Sequence, residues 1–153
     1  MQWLEHKVPP PIIGALVGLG MWWVAPLSPT LSVGVEARFA AVAVFVAVGL
    51  AFDLLGLLAF RASRTTVNPL TPERASALVT SGVYRVTRNP MYVGLFCLLL
   101  AWAAYLSALL SLAGPIVYAL YVTRFQILPE ERALHLLFGE LYAIYTASVP
   151  RWV

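Results

Sequence analysis

The stretch that decides the fold is NPMYVGLFCLLLAWAAYLSALLSLAGPIVYALYVT, residues 89–123, in which no side chain carries a charge. A single helix of these 35 residues would be about 52 Å long, whereas the hydrocarbon core of a bilayer is only about 30 Å thick. Two crossings of about seventeen residues each fit this length, and Gly114-Pro115 provides a break between them. The stretch therefore predicts a tight helical hairpin whose arms cross the membrane at about 91–109 and 114–128, with Ser107 and Ser111 near its tip.

The composition of the whole chain agrees with a membrane location. Of its 153 residues, 61% are hydrophobic and 11% are charged, against roughly 25% charged in a typical soluble domain. Two further apolar runs, at about 8–27 and 39–60, approach the roughly twenty residues that a transmembrane helix needs. We therefore predict an all-α integral membrane protein with four transmembrane helices, formed as one domain over residues 1–153.

The basic residues predict the orientation of these helices. Residues 61–90 contain five arginines, whereas the connection between the first two spans contains Arg38 alone. Because cytoplasmic loops are enriched in Lys and Arg, we expect 61–90 to be a cytosolic segment and both termini to be cytoplasmic, in the inner membrane of a bacterium. The basic residues lie at the ends of apolar runs and form no patch among aromatic residues, so nucleic acid is not an expected partner.

The tail after the fourth span is too polar to cross the membrane. In EERALHLLFGELYAIY, residues 130–145, the apolar or aromatic residues recur at 134, 137, 138, 141, 142 and 145, which is a helical spacing. Pro129 suits the first turn of a helix, and the acidic pair Glu130-Glu131 suits the positive end of the helix dipole. We predict one amphipathic helix over 129–146 that lies on the cytosolic face.

Asp53 is the charged residue inside the predicted second span. An ionisable side chain there costs at least a few kcal/mol unless it is paired or hydrated. Two interpretations therefore stand side by side: a proton or cation site, or a structural residue that links helices or is hydrated from the nearby cytosolic end. The first would fit a small four-helix multidrug or cation transporter, which is the alternative function for this chain. No metal site is predicted, because His135 has no partner residues at metal-ligand spacing.

The stretch VTSGVYRVTRNPMY, residues 79–92, is basic and turn-forming, yet it leads directly into the third span. It is either an anchor at the membrane surface or part of a binding site. Because the arms of a hairpin begin and end on the same side, Arg88 and Asn89 should face Glu130 and Glu131. A zwitterion with an ammonium and a carboxylate would fit such a mouth, but an acidic pair at a helix start is also commonly just exposed to water. The residues alone leave both interpretations open.

Two motifs resemble those of a known family. LVTSGVYRVTRNPMYVG and PEERALHLLFGELYAIYTASVPRW, in this order and separated by a helical hairpin, are similar to the motifs of the isoprenylcysteine carboxyl methyltransferase family, whose relatives include phospholipid N-methyltransferases. The resemblance covers about residues 64–153. It implies a membrane methyltransferase that uses S-adenosylmethionine, releases S-adenosylhomocysteine, and methylates a lipophilic small molecule or a membrane lipid reached from the bilayer.

The resemblance also implies which residues form the site. The implied cofactor-binding residues are Ser76, Ala77, Leu78, Val79, Gly82, Tyr84, Arg88, Asn89, Pro90, Met91, Tyr92 and Glu130. Glu130 would take the ammonium group of the cofactor, and the aromatic faces suit its sulfonium.

The chain departs from the family pattern at two positions. Eukaryotic members have His at the position of Asn89, and the arginine that they use near the prenylcysteine carboxylate aligns with Gln126. The resemblance therefore implies methyl transfer but not prenylcysteine as the acceptor, and it puts Gln126 on the acceptor side. We predict Glu131, as a base for an amine acceptor, and the nearby Arg124 as catalytic residues.

Overall fold

The structure is a computed structural model that describes residues 8–62 and 78–153. Within these ranges the regular structure is helical, apart from one isolated bridge between Thr30 and Ala108, so the all-α prediction is confirmed there. The α-helices of the described residues are α1 (Pro10–Val24), α2 (Val35–Ala62), α3 (Pro90–Leu106), α4 (Ala113–Val122), α5 (Leu128–Phe138) and α6 (Glu140–Ser148).

The first two helices are long and apolar enough to cross a membrane. They span Pro10–Leu27, where a short 3-10 turn prolongs α1, and Val35–Ala62. The side chains of Leu16, Trp23 and Leu54 on these helices are exposed, as expected where a helix faces lipid. These features suggest a membrane location, whereas four crossings and the orientation of the termini stay predictions.

The connection between α1 and α2 meets the connection between α3 and α4 at one end of the molecule. The Leu31 N–H donates to the Ser107 carbonyl at 2.8 Å, and the Leu109 N–H donates to the Pro29 carbonyl at 3.1 Å. Ser107 ends α3 in a left-handed conformation with φ of 50°, and its hydroxyl donates to the Leu31 carbonyl at 3.2 Å. The end of α2 and the start of α3 therefore lie together at the opposite end of the molecule.

The hairpin turns near Ser107 and Ser111, as the sequence predicts, and Gly114-Pro115 lies just beyond the turn instead of forming it. The helix α3 ends at Leu106, before the predicted 109, and the chain turns over 107–112. Pro115 instead lies in the first turn of α4, where the missing N–H costs no hydrogen bond. Gly114 is required by packing, because a Cβ at this position would overlap the Met21 side chain where α1 approaches α4.

The helices α2 and α3 approach each other through glycines. Gly49 and Gly56 are the buried residues of α2, and their seven-residue spacing puts them on one face. A Cβ on Gly49 would lie 2.9 Å from the Gly94 carbonyl oxygen, and a Cβ on Gly94 would overlap the Asp53 carboxylate. The backbones are therefore too close for a side chain at either glycine, and Asp53 lies in this same contact.

The predicted single helix over 129–146 is wrong in its bounds. A π-helical turn, Thr123–Ile127, leads from α4 directly into α5, so the helical backbone continues without a gap. Gly139, with φ of 51° and ψ of −122°, then separates α5 from α6, in a conformation that residues with a side chain strongly disfavour. On the predicted apolar face, Tyr142 and Tyr145 are buried, whereas Leu137 and Leu141 are exposed.

Candidate functional site

The polar stretch before α3 folds into a defined turn. A 3-10 turn, Gly82–Arg85, begins at a glycine with φ of 61°, a left-handed value that glycine adopts without strain. The buried Thr87 hydroxyl accepts a hydrogen bond from the Asn89 N–H at 3.2 Å, and Pro90 occupies the first turn of α3. These local contacts fix the start of α3 and the side chains just before it.

Tyr92 and Glu130 join the two sequence motifs across the hairpin. The Tyr92 hydroxyl, in the first turn of α3, donates to Glu130 Oε1, in the first turn of α5, at 2.6 Å. Burial raises the pKa of Glu130 to about 8, the Tyr92 hydrogen bond lowers it, and the neighbouring Glu131 raises it further. A buried carboxylate of this kind is stabilised by a cationic ligand.

The adjacent Glu131 is held quite differently. Arg151 donates from Nε and Nη2 to the two Glu131 carboxylate oxygens at 2.9 and 2.7 Å, and Arg88 Nη1 lies 3.1 Å from Oε1. Bidentate pairing of this type fixes both orientation and charge. Both carboxylate oxygens of Glu131 are therefore engaged by guanidinium groups, and the carboxylate connects two arginines.

The end of the chain folds back across the start of α3. The Arg88 N–H donates to the Pro150 carbonyl at 3.0 Å. The Arg151 carbonyl accepts hydrogen bonds from the Thr87 hydroxyl at 3.1 Å and from Asn89 Nδ2 at 2.9 Å. The side-chain amide of Asn89, a residue that the resemblance assigns to the cofactor, therefore holds the tail in this structure.

Tyr84 connects the 3-10 turn to both α2 and α6. Its ring contacts Phe60 edge-on, with 5.4 Å between centroids, and its carbonyl accepts a hydrogen bond from the Tyr145 hydroxyl at 2.7 Å. Burial, with smaller effects of Tyr145 and Glu130, raises the pKa of Tyr84 above its ordinary value. The phenol of Tyr84 is therefore neutral in a site that also contains the Glu130 carboxylate.

The other residues that the resemblance assigns to the cofactor are only partly described. Val79 is buried, and Leu78 packs against the cluster around Tyr142 and Tyr145. Met91 lies against α2. The predicted positions 76 and 77, Ser76 and Ala77, lie outside the described residues.

Gln126, predicted on the acceptor side, and Arg124, predicted as a catalytic residue, share the π-helical turn but differ in exposure. Gln126 is fully buried, and its Nε2 donates to the Val8 carbonyl at 2.8 Å. Its Oε1 has no hydrogen-bond partner among the described residues. Arg124 is exposed, with its guanidinium 5.6 Å from the centre of the Phe125 ring. The structure thus places Gln126 in the interior and Arg124 on the surface.

Two residues near the end of the chain, Arg151 and Trp152, contact the candidate site although neither is among the predicted site residues. The Trp152 indole donates to the Thr123 hydroxyl at 3.2 Å, and its ring lies 6.0 Å from that of Phe96. The available signal was that the second motif ends in PRW, a proline followed by a cation and an aromatic ring. The spacing does not reveal that this segment reaches back to Glu131, because that contact depends on the turns at both ends of α6.

A known family matches the part of the chain that contains the first motif and the start of the second. The family model described as phospholipid methyltransferase matches residues 37–141, which include most of α2, the hairpin and α5. The chain belongs to the phospholipid methyltransferase family. An uncharacterized protein of Haemophilus influenzae is 40% identical over 63 residues, which cover 41% of this chain and 100% of that relative. No solved structure matches the chain with significance.

Membership of the phospholipid methyltransferase family confirms the resemblance and supports methyl transfer as the reaction. Together with the two helices that are able to cross a membrane, it suggests a membrane methyltransferase. Nothing in the family or in the described residues supports the alternative of a transporter that uses Asp53.

Proposed function

We propose that this member of the phospholipid methyltransferase family is a multi-pass membrane enzyme that transfers a methyl group from S-adenosylmethionine to a lipophilic or lipid acceptor. The observation that carries the proposal is the 2.6 Å hydrogen bond between Tyr92 and Glu130. It joins the two motifs at the start of α3 and the start of α5. At this point a buried carboxylate is paired with a hydroxyl, whereas the guanidinium groups are engaged by Glu131.

The residues around this hydrogen bond fit S-adenosylmethionine. Burial raises the pKa of Glu130 to about 8, so its ionised form requires a cation beside it, and the ammonium group of the cofactor would supply one. Tyr84 and Tyr92 are buried and are the kind of aromatic ring that attracts a sulfonium. When bound, the cofactor supplies an activated methyl group.

We assign Glu131 to positioning instead of proton transfer. Its contacts with Arg88 and Arg151 connect α5 both to the stretch before α3 and to the end of the chain. Asn89 adds a third connection through its hydrogen bond to the Arg151 carbonyl. These contacts hold Glu130 in place, and a fixed approach of the reacting groups is the main requirement that methyl transfer makes of a protein.

A lipophilic acceptor would enter from the bilayer between the helices. The exposed apolar surfaces of α1 and α2 support contact with lipid. The buried Gln126 supports an acceptor side near the π-helical turn, since its Oε1 has no hydrogen-bond partner in the described part of the chain. A buried oxygen of this kind favours a donor group on a ligand or a water molecule. In this proposal the cofactor comes from the cytosol, where both termini of the chain lie.

Cofactor binding is tested by calorimetry on protein purified in detergent. We expect wild-type protein to bind S-adenosylmethionine, and Glu130→Gln to lose about tenfold or more in affinity, as expected when one charge-assisted hydrogen bond is removed. Glu140→Gln is the matched control, because Glu140 is exposed in the first turn of α6, and it should bind like the wild type.

Methyl transfer is tested with the same variants. Purified protein is incubated with methyl-labelled cofactor and a bacterial lipid extract, and label is counted in the organic phase. We expect a labelled lipophilic product from the wild type and from Glu140→Gln, and little or none from Glu130→Gln. Folded wild-type protein that neither binds the cofactor nor labels any lipophilic compound contradicts the proposal.

A further inference from the structure

The turn that joins α4 to α5, Thr123–Ile127, is π-helical. The Leu128 N–H donates to the Thr123 carbonyl, five residues back in the chain, whereas an α-helix closes its hydrogen bonds over four residues. A π-helical turn therefore holds one residue more than an α-helical turn. Such turns are rare, and many of them lie at functional sites. Because a helix rarely adopts this conformation by itself, contacts from elsewhere in the molecule must hold it here.

The extra residue determines the direction of every side chain that follows it. Each residue of an α-helix is rotated by about 100° from the one before. With α4 in place, an uninterrupted α-helix would therefore put each later residue where the next one now lies. Glu130 would take the place of Glu131 beside its two arginine partners, and Pro129 would take the place of Glu130 opposite Tyr92. The arginines keep a carboxylate in either register, but only the π-helical register puts a carboxylate at Tyr92.

Thr123, the first residue of the π-helical turn, is held by the end of the chain. Its hydroxyl accepts a hydrogen bond from the Trp152 indole at 3.2 Å. The Trp152 ring is itself held, because it lies 6.0 Å from the Phe96 ring of α3 and packs against the apolar core. A second contact is made by Gln126, whose Nε2 donates to the Val8 carbonyl just before α1 at 2.8 Å. Two segments that are distant in sequence therefore hold the first and the fourth residue of this turn.

We propose that Thr123 and Trp152 are positioning residues, and that their hydrogen bond selects the π-helical register, which directs Glu130 to the ligand and Glu131 to the arginines. The inference rests on the proposed binding of S-adenosylmethionine beside Glu130 and adds what directs the carboxylate there. Without the bond, the α-helical register gains population. The ion pairs of the arginines survive in that register, because Glu130 replaces Glu131, but the cofactor loses its carboxylate.

Deletion of one residue from the turn separates this role from simple stabilisation of the tail. Without Phe125, four residues fill the turn, so an α-helix places Glu130 and every later residue where they lie in the wild type. Thr123 and Gln126 both remain in this variant. The Phe125-deleted protein should bind S-adenosylmethionine like the wild type, and adding Thr123→Val to it should cause no further loss.

The first arm of the experiment measures S-adenosylmethionine affinity by calorimetry on the full chain in detergent. Thr123→Val and Trp152→Phe should each lose about fivefold in affinity, the effect of one neutral hydrogen bond. Thr146→Val is the matched control for the first, because the Thr146 hydroxyl bonds within α6. Trp23→Phe, at an exposed position of α1, is the control for the second. Both controls should bind like the wild type.

The second arm reports the register without cofactor, through the rate at which a maleimide labels single cysteines in a Cys97→Ser background. Leu134 packs against the buried residues of α6, whereas the next residue, His135, is exposed. In the α-helical register Leu134 takes the place of His135, so a cysteine at position 134 becomes accessible. The reference is Leu136→Cys, at a position that is 87% exposed, which should be labelled rapidly in every background.

Thr123→Val should speed the labelling of Leu134→Cys several-fold, and deletion of Phe125 should return the rate to the wild-type value. An unchanged labelling rate in Thr123→Val overturns the inference. So does wild-type affinity in both Thr123→Val and Trp152→Phe. An equal loss of affinity from Thr123→Val with and without Phe125 also overturns it, because the deletion removes any effect of the register.

If the Phe125-deleted protein does not fold, the two substitutions and the labelling of Leu134→Cys still decide the question. Failure of the folded wild type to bind S-adenosylmethionine counts against the proposed methyl transfer. The register is then decided by the labelling arm alone, in which faster labelling of Leu134→Cys in Thr123→Val supports the inference and an unchanged rate overturns it.

Discussion

Glu130 and Glu131 are adjacent carboxylates in different surroundings. A helix turns by about 100° per residue, so neighbours on α5 point in different directions. Glu131 meets Arg88 and Arg151, whereas Glu130 meets the hydroxyl of Tyr92. Glu131 therefore links α5 to two arginines, whereas Glu130, one residue earlier, has no cation among these contacts.

Glu131→Gln should lower stability more than Glu130→Gln does. The change leaves the guanidinium of Arg88, with a side chain only 13% exposed, without its carboxylate, at a cost on the order of 2 kcal/mol. Unfolding in detergent, followed by tryptophan fluorescence, should show a lower midpoint for Glu131→Gln and a midpoint near or above the wild-type value for Glu130→Gln at pH 8. The reverse order would show that Glu131 does not hold the tail.

The raised pKa of Glu130 makes the ligand-free protein less stable as pH rises. Its pKa of about 8 lies above the ordinary value of 4.5, so between these values the folded state holds a proton that the unfolded chain has released. Stability therefore falls as pH increases from about 4.5 to 8, and the loss is complete above 8. The unfolding midpoint is measured from pH 5 to 9 for both proteins. Glu130→Gln should lack the fall in stability that the wild type shows as pH increases toward 8. Parallel curves for the two proteins would contradict the raised pKa.

At the scale of elements, the contact between α2 and α3 depends on two glycines, because the two helices are too close there for any side chain. Gly94→Ala would place a methyl group against the Asp53 carboxylate, and Gly49→Ala would place one 2.9 Å from the Gly94 carbonyl oxygen. Each change should force the helices apart and cost roughly 1–3 kcal/mol, measured as a lower unfolding midpoint. Gly20→Ala on α1, where a Cβ would meet nothing within 4 Å, is the control and should be neutral or slightly stabilising.

The junction of α5 and α6 provides a second test at this scale. Gly139 has φ of 51° and ψ of −122°, a region open almost only to glycine, so Gly139→Ala should cost roughly 1–3 kcal/mol. If the strain straightens the junction, α6 moves away from the 3-10 turn and the Tyr145 bond to Tyr84 is lost. The measurement is the unfolding midpoint together with cofactor affinity, and wild-type values for both would show that the break is not required.

At the scale of the whole molecule, the two interhelical connections lie at one end and the candidate site lies at the other. The hydrogen bonds between residues 29–31 and 107–109 establish the first end, and the contacts of Glu130 and Glu131 establish the second. If the site faces the cytosol, as the distribution of arginines predicts, the two connections face the opposite side of the membrane. The whole molecule then places cofactor binding at one membrane surface.

Single-cysteine labelling in intact bacterial cells tests this orientation. In a Cys97→Ser background, a membrane-impermeant maleimide should label Ser32→Cys, in the exposed α1–α2 connection, and should label Arg85→Cys, in the exposed 3-10 turn, only after the inner membrane is permeabilised. Labelling of Arg85→Cys alone in intact cells would reverse the orientation. Labelling of both positions would show that the chain does not separate them across a membrane.

The sequence by itself determined the helical class of the fold and the pairing of the two motifs. A charge-free stretch of 35 residues is too long for one crossing, so its ends return to the same side, and Tyr92 and Glu130 follow as neighbours. The family motifs marked the same residues. These inferences succeed because they depend on chain length and on local residue pattern.

Only the tertiary structure decided what Gly114 does and which partner each polar residue meets. The turn falls at 107–112 and not at Gly114, because the glycine serves a contact with Met21 of α1. The Asn89 amide and the Glu131 carboxylate meet Arg151, which is 62 and 20 residues away in the chain. Contacts at such separations depend on the packing of several helices at once, and for this reason no local spacing in the sequence revealed them.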